Sequence, residues 1–401
     1  MLRNPRLLPV LQIGLACVTA FTVLLAGAEM RTGRSVFGDL SRAEWWAGLP
    51  YMLALLAFIT VHEFGHYFTA RYHRVRATLP FYIPLYIPGF FNIGTLGAVI
   101  MLRETPGSTR KFFDIGIAGP LAGFVVALGL LIYGFATLPD LETYVMAIHP
   151  EYEEVFCGVP GVEEMRAFQQ ANGSPGLWMG SNLMYILLAR VIPADPSQVP
   201  PPFEMMHYPL LFTGYLTLFF TALNLLPAGQ LDGGHVVYGM FGRKTAGILA
   251  RITVGGLLLF GGTGLVDVGY PAPSNIVVWV LYFWLLVYLS GQIFGRRRRT
   301  LRWGVALGFL VLQGLLKGVF PAWEAQGIWV LYSLLLTRVV RLDHPPAYFE
   351  HRVNRSRQWL GWLAIAIFVL SFTPAPLRME GLLQTDWRGE WQLLAGWLGL
   401  G

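Results

Sequence analysis

The sequence predicts an all-α polytopic membrane protein with about nine transmembrane helices and a small re-entrant β-hairpin element. Of its 401 residues, 55% are hydrophobic and only 13% charged, whereas a soluble protein carries about a quarter charged residues. Apolar runs of roughly 20 residues, the length that crosses a bilayer, recur along the chain. The basic residues flank these runs with a bias to one side, as lysine and arginine do when they orient spans. The net charge of +6 is therefore a matter of topology and gives no reason to expect nucleic acid. Two cysteines, Cys17 and Cys157, form no CxxC pattern, which argues against a disulfide framework or a thiolate zinc site.

Spans are expected near residues 7–29, 46–72, 114–138, 208–228, 244–262, 275–295, 301–318, 326–341 and 358–373. The first follows Arg3 and Arg6 and ends on the small residues Ala26–Ala28, like a cleaved signal peptide. Its apolar run is longer than a signal core, so it reads as a retained span. With the N-terminus inside, Arg71, Arg74, Arg76, Arg103, Arg110, Lys111, Arg243, Lys244 and Arg296–Arg299 all fall inside. The loop 139–207 falls outside and holds nine acidic residues against Arg166 and Arg190. The loop 30–45, with Arg31, Arg34 and Arg42 outside, is the exception. The run RRRRT at 296–300 reads as an anchor beside a span.

Residues 79–102 are uncharged and long enough to span. Doing so would reverse the charge bias, and Pro80, Pro84, Pro88, Gly89, Gly94 and Gly97 make poor helix. They read as a re-entrant element bordering a cavity, most strand-like at 92–100. Residues 178–193 are expected at the interface. So is the tail 381–401, with Trp387, Trp391 and Trp397 on the outer side. The whole, 1–401, reads as a single membrane domain. Its core is expected over 46–240, built from the spans 46–72 and 208–239 and the re-entrant segment 79–102. Additional spans follow at 244–373.

The stretch FITVHEFGHYFTA, residues 58–70, puts two histidines and a glutamate in an oily span, where ionisable groups are costly and usually functional. His62 and His66 lie four apart, on one helix face. Both imidazoles can reach one divalent metal at about 2.0–2.1 Å. Glu63 adjoins that site, where a glutamate takes a proton from activated water. The plainer reading is a buried histidine pair satisfied by neighbouring helices. A metal satisfies all three groups together and is the better reading in lipid. A catalytic zinc needs a third protein ligand. Asp232 and His235, in ALNLLPAGQLDGGHVVYG at 222–239, stand out at similar depth. Pro227, Gly229, Gly233 and Gly234 are expected to break the helix there. Asp232 is the favoured ligand, though an aspartate before Gly-Gly is also common in turns. His235 is favoured as a supporting neighbour.

HEFGH in one span and NLLPAGQLDGGH in a later one resemble the site-2 protease family of intramembrane zinc metalloproteases. GIAGPLAG at 116–123 is similar to the family too, and the resemblance covers about residues 50–240. It implies that His62, His66 and Asp232 hold Zn2+, that Glu63 is the general base, and that Asn224 contacts substrate or the developing oxyanion. Without the family, Asn224 is an ordinary interhelical hydrogen-bonding residue. The family's membrane-embedded hairpin corresponds to Asn92–Ile100. There Asn92, Gly94, Thr95 and Gly97 would pair with an unwound substrate through its backbone; a structural plug is the other reading. Gly119 and Gly123 fit close helix packing. The chain resembles the compact members without PDZ or CBS domains, typified by plastid enzymes and their bacterial relatives. The DHPP at 343–346 and SFTPAP at 371–376 are similar to the ends of those relatives, without a mechanism.

The function expected is hydrolysis of peptide bonds within or beside transmembrane segments of membrane-protein substrates. The alternative is a metal-ion transporter or metal sensor, which would need further ligands along a track through the bilayer; the sequence displays no such ladder. The expected partners are a transmembrane protein or peptide substrate and the lipid bilayer, with no nucleic acid. The oligomeric state is open. With no Arg- and Ser-rich transit segment ahead of the first span, the expected setting is a bacterial inner membrane. N-terminus and active site would face the cytoplasm.

Overall fold

A computed structural model describes residues 7–88, 91–172, 176–263, 265, 273–294, 299–320 and 326–380. In chain order the main elements are α1 (Leu7–Thr32), α2 (Leu49–Tyr72), β1 (Phe81–Pro84), β2 (Thr95–Val99) and α3 (Thr109–Ala136). Short helices α4 (Leu141–Met146), α5 (Glu151–Phe156) and α6 (Val162–Asn172), strand β3 (Gly176–Met179) and α7 (Leu183–Val191) follow, in the connection after α3. Then come α8 (Pro209–Leu225), α9 (Asp232–Phe241), α10 (Arg243–Gly262), α11 (Pro273–Phe294), α12 (Arg299–Val319), α13 (Gly327–Leu335), α14 (Arg355–Ser371) and β4 (Leu377–Glu380).

Helix ends follow local chemistry. Ser108 caps α3 by accepting from the Lys111 amide at 3.4 Å. Asn182 caps α7 through the Tyr185 amide at 2.9 Å, and Asn354 caps α14 through the Arg357 amide at 3.3 Å. Proline opens α2 and α8, where its missing N–H costs nothing.

Five helical stretches are long and apolar enough to cross a membrane: Leu7–Thr32, Glu44–Tyr72, Thr109–Ala136, Arg243–Gly262 and Thr300–Val319. Three more expected spans are shorter apolar helices, Pro209–Leu225, Val278–Ile293 and Gly327–Val340. Large apolar side chains such as Val10, Ile13, Val125, Leu307 and Leu315 face outward and are exposed. In water that would be a liability; in hydrocarbon it is the expected surface. The chain is an integral, mainly helical membrane protein.

The first core lies between α1, α2, α3 and α8. It is built on Val23, Ala26, Tyr51, Leu55, Phe58, Leu131, Phe135, Phe212 and Tyr215, all buried. A second core joins α10, α11, α12 and α13 around Val254, Leu258, Leu286, Ala306 and Trp329. A third, with Phe113, Ile117, Leu225, Val236, Met240, Ala364 and Ile367, packs α3, α8, α9 and α14 together.

The strand-like reading of 92–100 corresponds to β2, which pairs antiparallel with β1, Phe81 opposite Val99. Three hydrogen bonds fasten this hairpin to the helices: Tyr82 with the Thr60 hydroxyl (2.7 Å), Tyr51 to the Ile93 carbonyl (3.0 Å) and Thr22 to the Gly94 carbonyl (2.7 Å). The expected helix break falls at 226–231, between α8 and α9. Gly233 and Gly234 do not break a helix. They lie in the first turn of α9, and their missing Cβ atoms let that turn nest against the Leu225, Ala228 and Gly229 carbonyls.

Residues 178–193 are more than an interfacial helix, because β3 pairs with β4, Gly176 opposite Glu380. That pairing gives SFTPAP a role. Its proline carbonyls accept from the Trp329 indole at Pro374 and from the Tyr215 hydroxyl at Pro376 (2.5 and 2.6 Å). Arg296–Arg298 and the tail 381–401 lie outside the described residues.

Candidate metal centre

His62 and His66 sit one turn apart on α2, both buried. Asp232 is the first residue of α9, where the break after α8 turns the chain back toward α2. The three side chains converge. The two Nε2 atoms are 3.1 Å apart, and Asp232 Oδ2 lies 3.5 Å from His62 Nε2 and 3.3 Å from His66 Nε2. Ligand atoms around a tetrahedral zinc with bonds of about 2.0–2.2 Å are roughly 3.3 Å apart. The donor set, two imidazoles and a carboxylate, is a zinc set as well.

His66 Nδ1 donates to the Ile115 carbonyl at 2.7 Å, which orients its Nε2 toward His62 and Asp232. With its ring neutral, that Nε2 offers a lone pair beside the other two donors, an arrangement that a divalent cation would use in full. The Ile115 carbonyl is the outer partner that fixes ring and tautomer. Being a backbone atom, it has no signature in the sequence.

Gly119 and Gly123 explain how α3 comes this close. A Cβ on Gly119 would run into the His66 ring, and one on Gly123 would lie 2.8 Å from Phe58 and 3.1 Å from His62 Nδ1. Gly65 answers from α2, where a Cβ would lie 2.7 Å from the Ala118 carbonyl oxygen. The glycines of GPLAG and HEFGH thus interlock two helices at the centre.

Glu63 is buried beside the triad, and the Ile100 backbone amide, just past β2, faces its carboxylate. The Asn224 amide nitrogen lies 3.3 Å from His62 Nε2, at the C-terminal end of α8. His235 does not join the triad. Its Nδ1 donates to His344 Nε2 at 2.6 Å, and its ring stacks on Phe112. His344, from the DHPP stretch, stacks in turn on Tyr238, and its Nδ1 donates to the Pro345 carbonyl at 2.6 Å.

The hairpin residues make the following contacts within the chain. Asn92 bonds the Ile87 backbone twice, donating to its carbonyl and accepting from its amide, both at 2.7 Å. Thr95 donates to the Ile83 carbonyl at 2.8 Å and accepts from the Gly97 amide at 2.9 Å. Gly94 has φ +87° and abuts the Thr22–Val23 backbone of α1, so it needs to be glycine. Asn92 and Thr95 therefore shape the hairpin from within, and Gly94 seats it against α1. Gly97, with φ +96°, has open space around it.

Residues 50–260 match the model of Peptidase family M50. Similar curated proteins include the probable zinc metalloprotease EGY2, chloroplastic, of Oryza sativa subsp. indica, 27% identical over 241 residues, 59% of this chain and 37% of that protein. The probable zinc metalloprotease EGY1, chloroplastic, of Oryza sativa subsp. japonica is 28% identical over 203 residues, 49% of this chain and 29% of that one. Its namesake in Arabidopsis thaliana is 25% identical over 225 residues, 54% and 34% respectively. The chain spans about a third of the length of these relatives. No solved structure matches it.

Proposed function

The chain belongs to peptidase family M50, and from that premise we propose that it is an intramembrane zinc endopeptidase cutting peptide bonds within or beside transmembrane segments of other membrane proteins. The observation that carries this reading is the convergence of His62, His66 and Asp232 from two helices at zinc-ligand separations, with Glu63 beside them. When bound by these three residues, zinc supplies a Lewis acid that polarises the scissile carbonyl and makes water acidic near neutral pH. Glu63 accepts the proton of the attacking water and returns it to the leaving amine as the C–N bond breaks. Asn224, at the rim of the triad, donates its amide N–H to the carbonyl oxygen as negative charge develops there.

The finer topology rests on sequence and packing together. We read about nine spans in a single membrane domain, with 46–240 as the catalytic core and β1–β2 as a re-entrant hairpin at membrane depth. Its open stretch near Gly97 offers backbone to an unwound substrate strand. The substrate class is a transmembrane protein or peptide. Basic residues gather at the triad's end of the bundle and acidic ones in 139–207. That favours a cytoplasmic active centre, as in a bacterial inner membrane, where the positive-inside bias operates.

A transport track is not favoured. Between its ends α8, the helix that leads away from the triad, carries no histidine, carboxylate or cationic side chain, so it offers no ladder of ligands.

Glu63→Gln keeps the shape and removes the base. Membranes of cells carrying it are expected to accumulate uncut precursor proteins that the wild-type chain depletes, while the purified variant keeps its bound zinc. Unchanged cleavage by the variant would rule out the role of Glu63, and a transporter would pass ions undiminished.

A further inference from the structure

In sequence His149 and His207 lie 58 residues apart. The structure gathers the two with a carboxylate. His149 precedes α5, and Glu204 and His207 belong to the short segment leading into α8. Their ligand atoms lie within 4.8 Å of one another. His207 comes just before the first residue of α8 and Asn224 lies near its last. Seventeen helical residues at about 1.5 Å each put this cluster roughly 25 Å from the His62–His66–Asp232 triad, at the other end of the bundle.

Three observations make the cluster more than a polar patch. Glu204 is 1% exposed, and while its Oε1 accepts from the Tyr152 hydroxyl at 2.8 Å, its Oε2 is buried without any hydrogen-bond partner. An unpaired buried carboxylate oxygen is costly. That oxygen lies 3.8 Å from His149 Nε2 and 3.8 Å from His207 Nε2.

The two Nε2 atoms face each other at 3.1 Å, the same separation as in the HEFGH pair. His149 Nδ1 meets the Glu151 carboxylate at 2.9 Å. That contact fixes an Nδ1–H tautomer and leaves the Nε2 lone pair directed into the cluster, as in carboxylate–histidine–zinc sites.

The surroundings are built to hold this geometry. Tyr144 donates to the His207 carbonyl at 2.7 Å, and the His149 ring stacks on Tyr152 at 4.8 Å. Gly33, with φ +66° just past α1, lies beside both rings, and its left-handed backbone favours glycine there. The nitrogens already stand at metal-ligand separation, and a small rotation of Glu204 about its outer torsions brings Oε2 in.

We propose that His149, Glu204 and His207 form a second divalent-metal site of the zinc type, distinct from the triad. Two imidazoles and one carboxylate suit zinc and disfavour magnesium or calcium. His149, 22% exposed against 4% and 1% for His207 and Glu204, is the member of the cluster that solvent reaches. The bound ion neutralises Glu204 and pins the 139–150 connector to the entry of α8. The proposal stands independently of the peptidase reading.

The test uses the full-length, untagged chain carrying His62→Ala and His66→Ala, so that the triad cannot bind. It is purified in detergent, stripped with EDTA and titrated with Co2+ and then with Zn2+. The expected result is one tightly held cobalt per chain with ligand-field absorption of a four- or five-coordinate site. Zn2+ displaces it and raises the thermal midpoint. Adding Glu204→Gln or His207→Ala abolishes both effects. Absence of cobalt binding in the chain with the cluster intact overturns the proposal, whatever the further variants do; the histidines then share a proton instead. Undiminished binding after both further substitutions overturns it as well, since the metal must then sit elsewhere.

Discussion

Asp232 and His235 lie three residues apart, and spacing alone allowed either to complete the triad. Their partners separate them. Asp232 Oδ2 faces both imidazoles of α2, whereas His235 is held by His344 and Phe112. Asp232→Asn is therefore expected to lower zinc affinity by more than the roughly 10–100-fold that an outer-shell loss costs. His235→Asn is expected to retain stoichiometric zinc; metal analysis after dialysis distinguishes the two. His344 also makes a pH prediction. It lies in the connector between α13 and α14, and burial holds its imidazole down to about 4. Neutral, it accepts from His235 at Nε2; protonated, it would set N–H against N–H. With the folded value depressed below the ordinary 6.5, its contribution to stability is complete above about pH 6.5. It drains away as the pH falls toward 4. The thermal midpoint of the wild type is expected to drop more between pH 7 and 5 than that of His344→Asn.

At the scale of elements, the decisive contact is α2 against α3. Glycines at 65, 119 and 123 remove the side chains that would keep the helices apart. Gly119→Leu is expected to push α3 off His66, lose bound metal and destabilise the chain by about 1–3 kcal/mol, the usual cost of overpacking. Zinc retained at wild-type stoichiometry would contradict this account. A second joint ties the neighbouring ends of α2, α3 and α14 together. Asp114 of α3 accepts from Arg357 of α14 at 2.6 and 2.8 Å and pairs with His73, just past α2, at 2.8 Å. The hairpin β1–β2 is fixed just as firmly, through Tyr82, Tyr51 and Thr22. Of the four hairpin residues with an expected substrate role, Gly94 takes part in that anchoring, while Asn92 and Thr95 bond within the hairpin. A motif position marks the element that matters without telling which of its groups face inward.

For the whole molecule, orientation is testable with residues already present. Cys157 is exposed at the end of α5, and Cys17 is exposed on the apolar face of α1. If 139–207 lies outside, a membrane-impermeant maleimide added to intact cells should label the Cys17→Ser variant at Cys157. Labelling only after the membrane is opened would reverse the topology. Most of this protein's class was legible in the sequence. Hydropathy and flanking charge are local properties, and a bilayer imposes one solution on them: helices of set length with their backbone groups paired internally. His62, Glu63 and His66 were legible for the same reason, since one helix turn brings them together. Asp232 was favoured over His235 in the sequence, though spacing alone did not separate them, and the work of DHPP and SFTPAP was not legible. Neither was the meeting of His149 with His207 across 58 residues. Those depend on which helix faces pack, and packing is a property of many distant side chains at once, which no single stretch encodes.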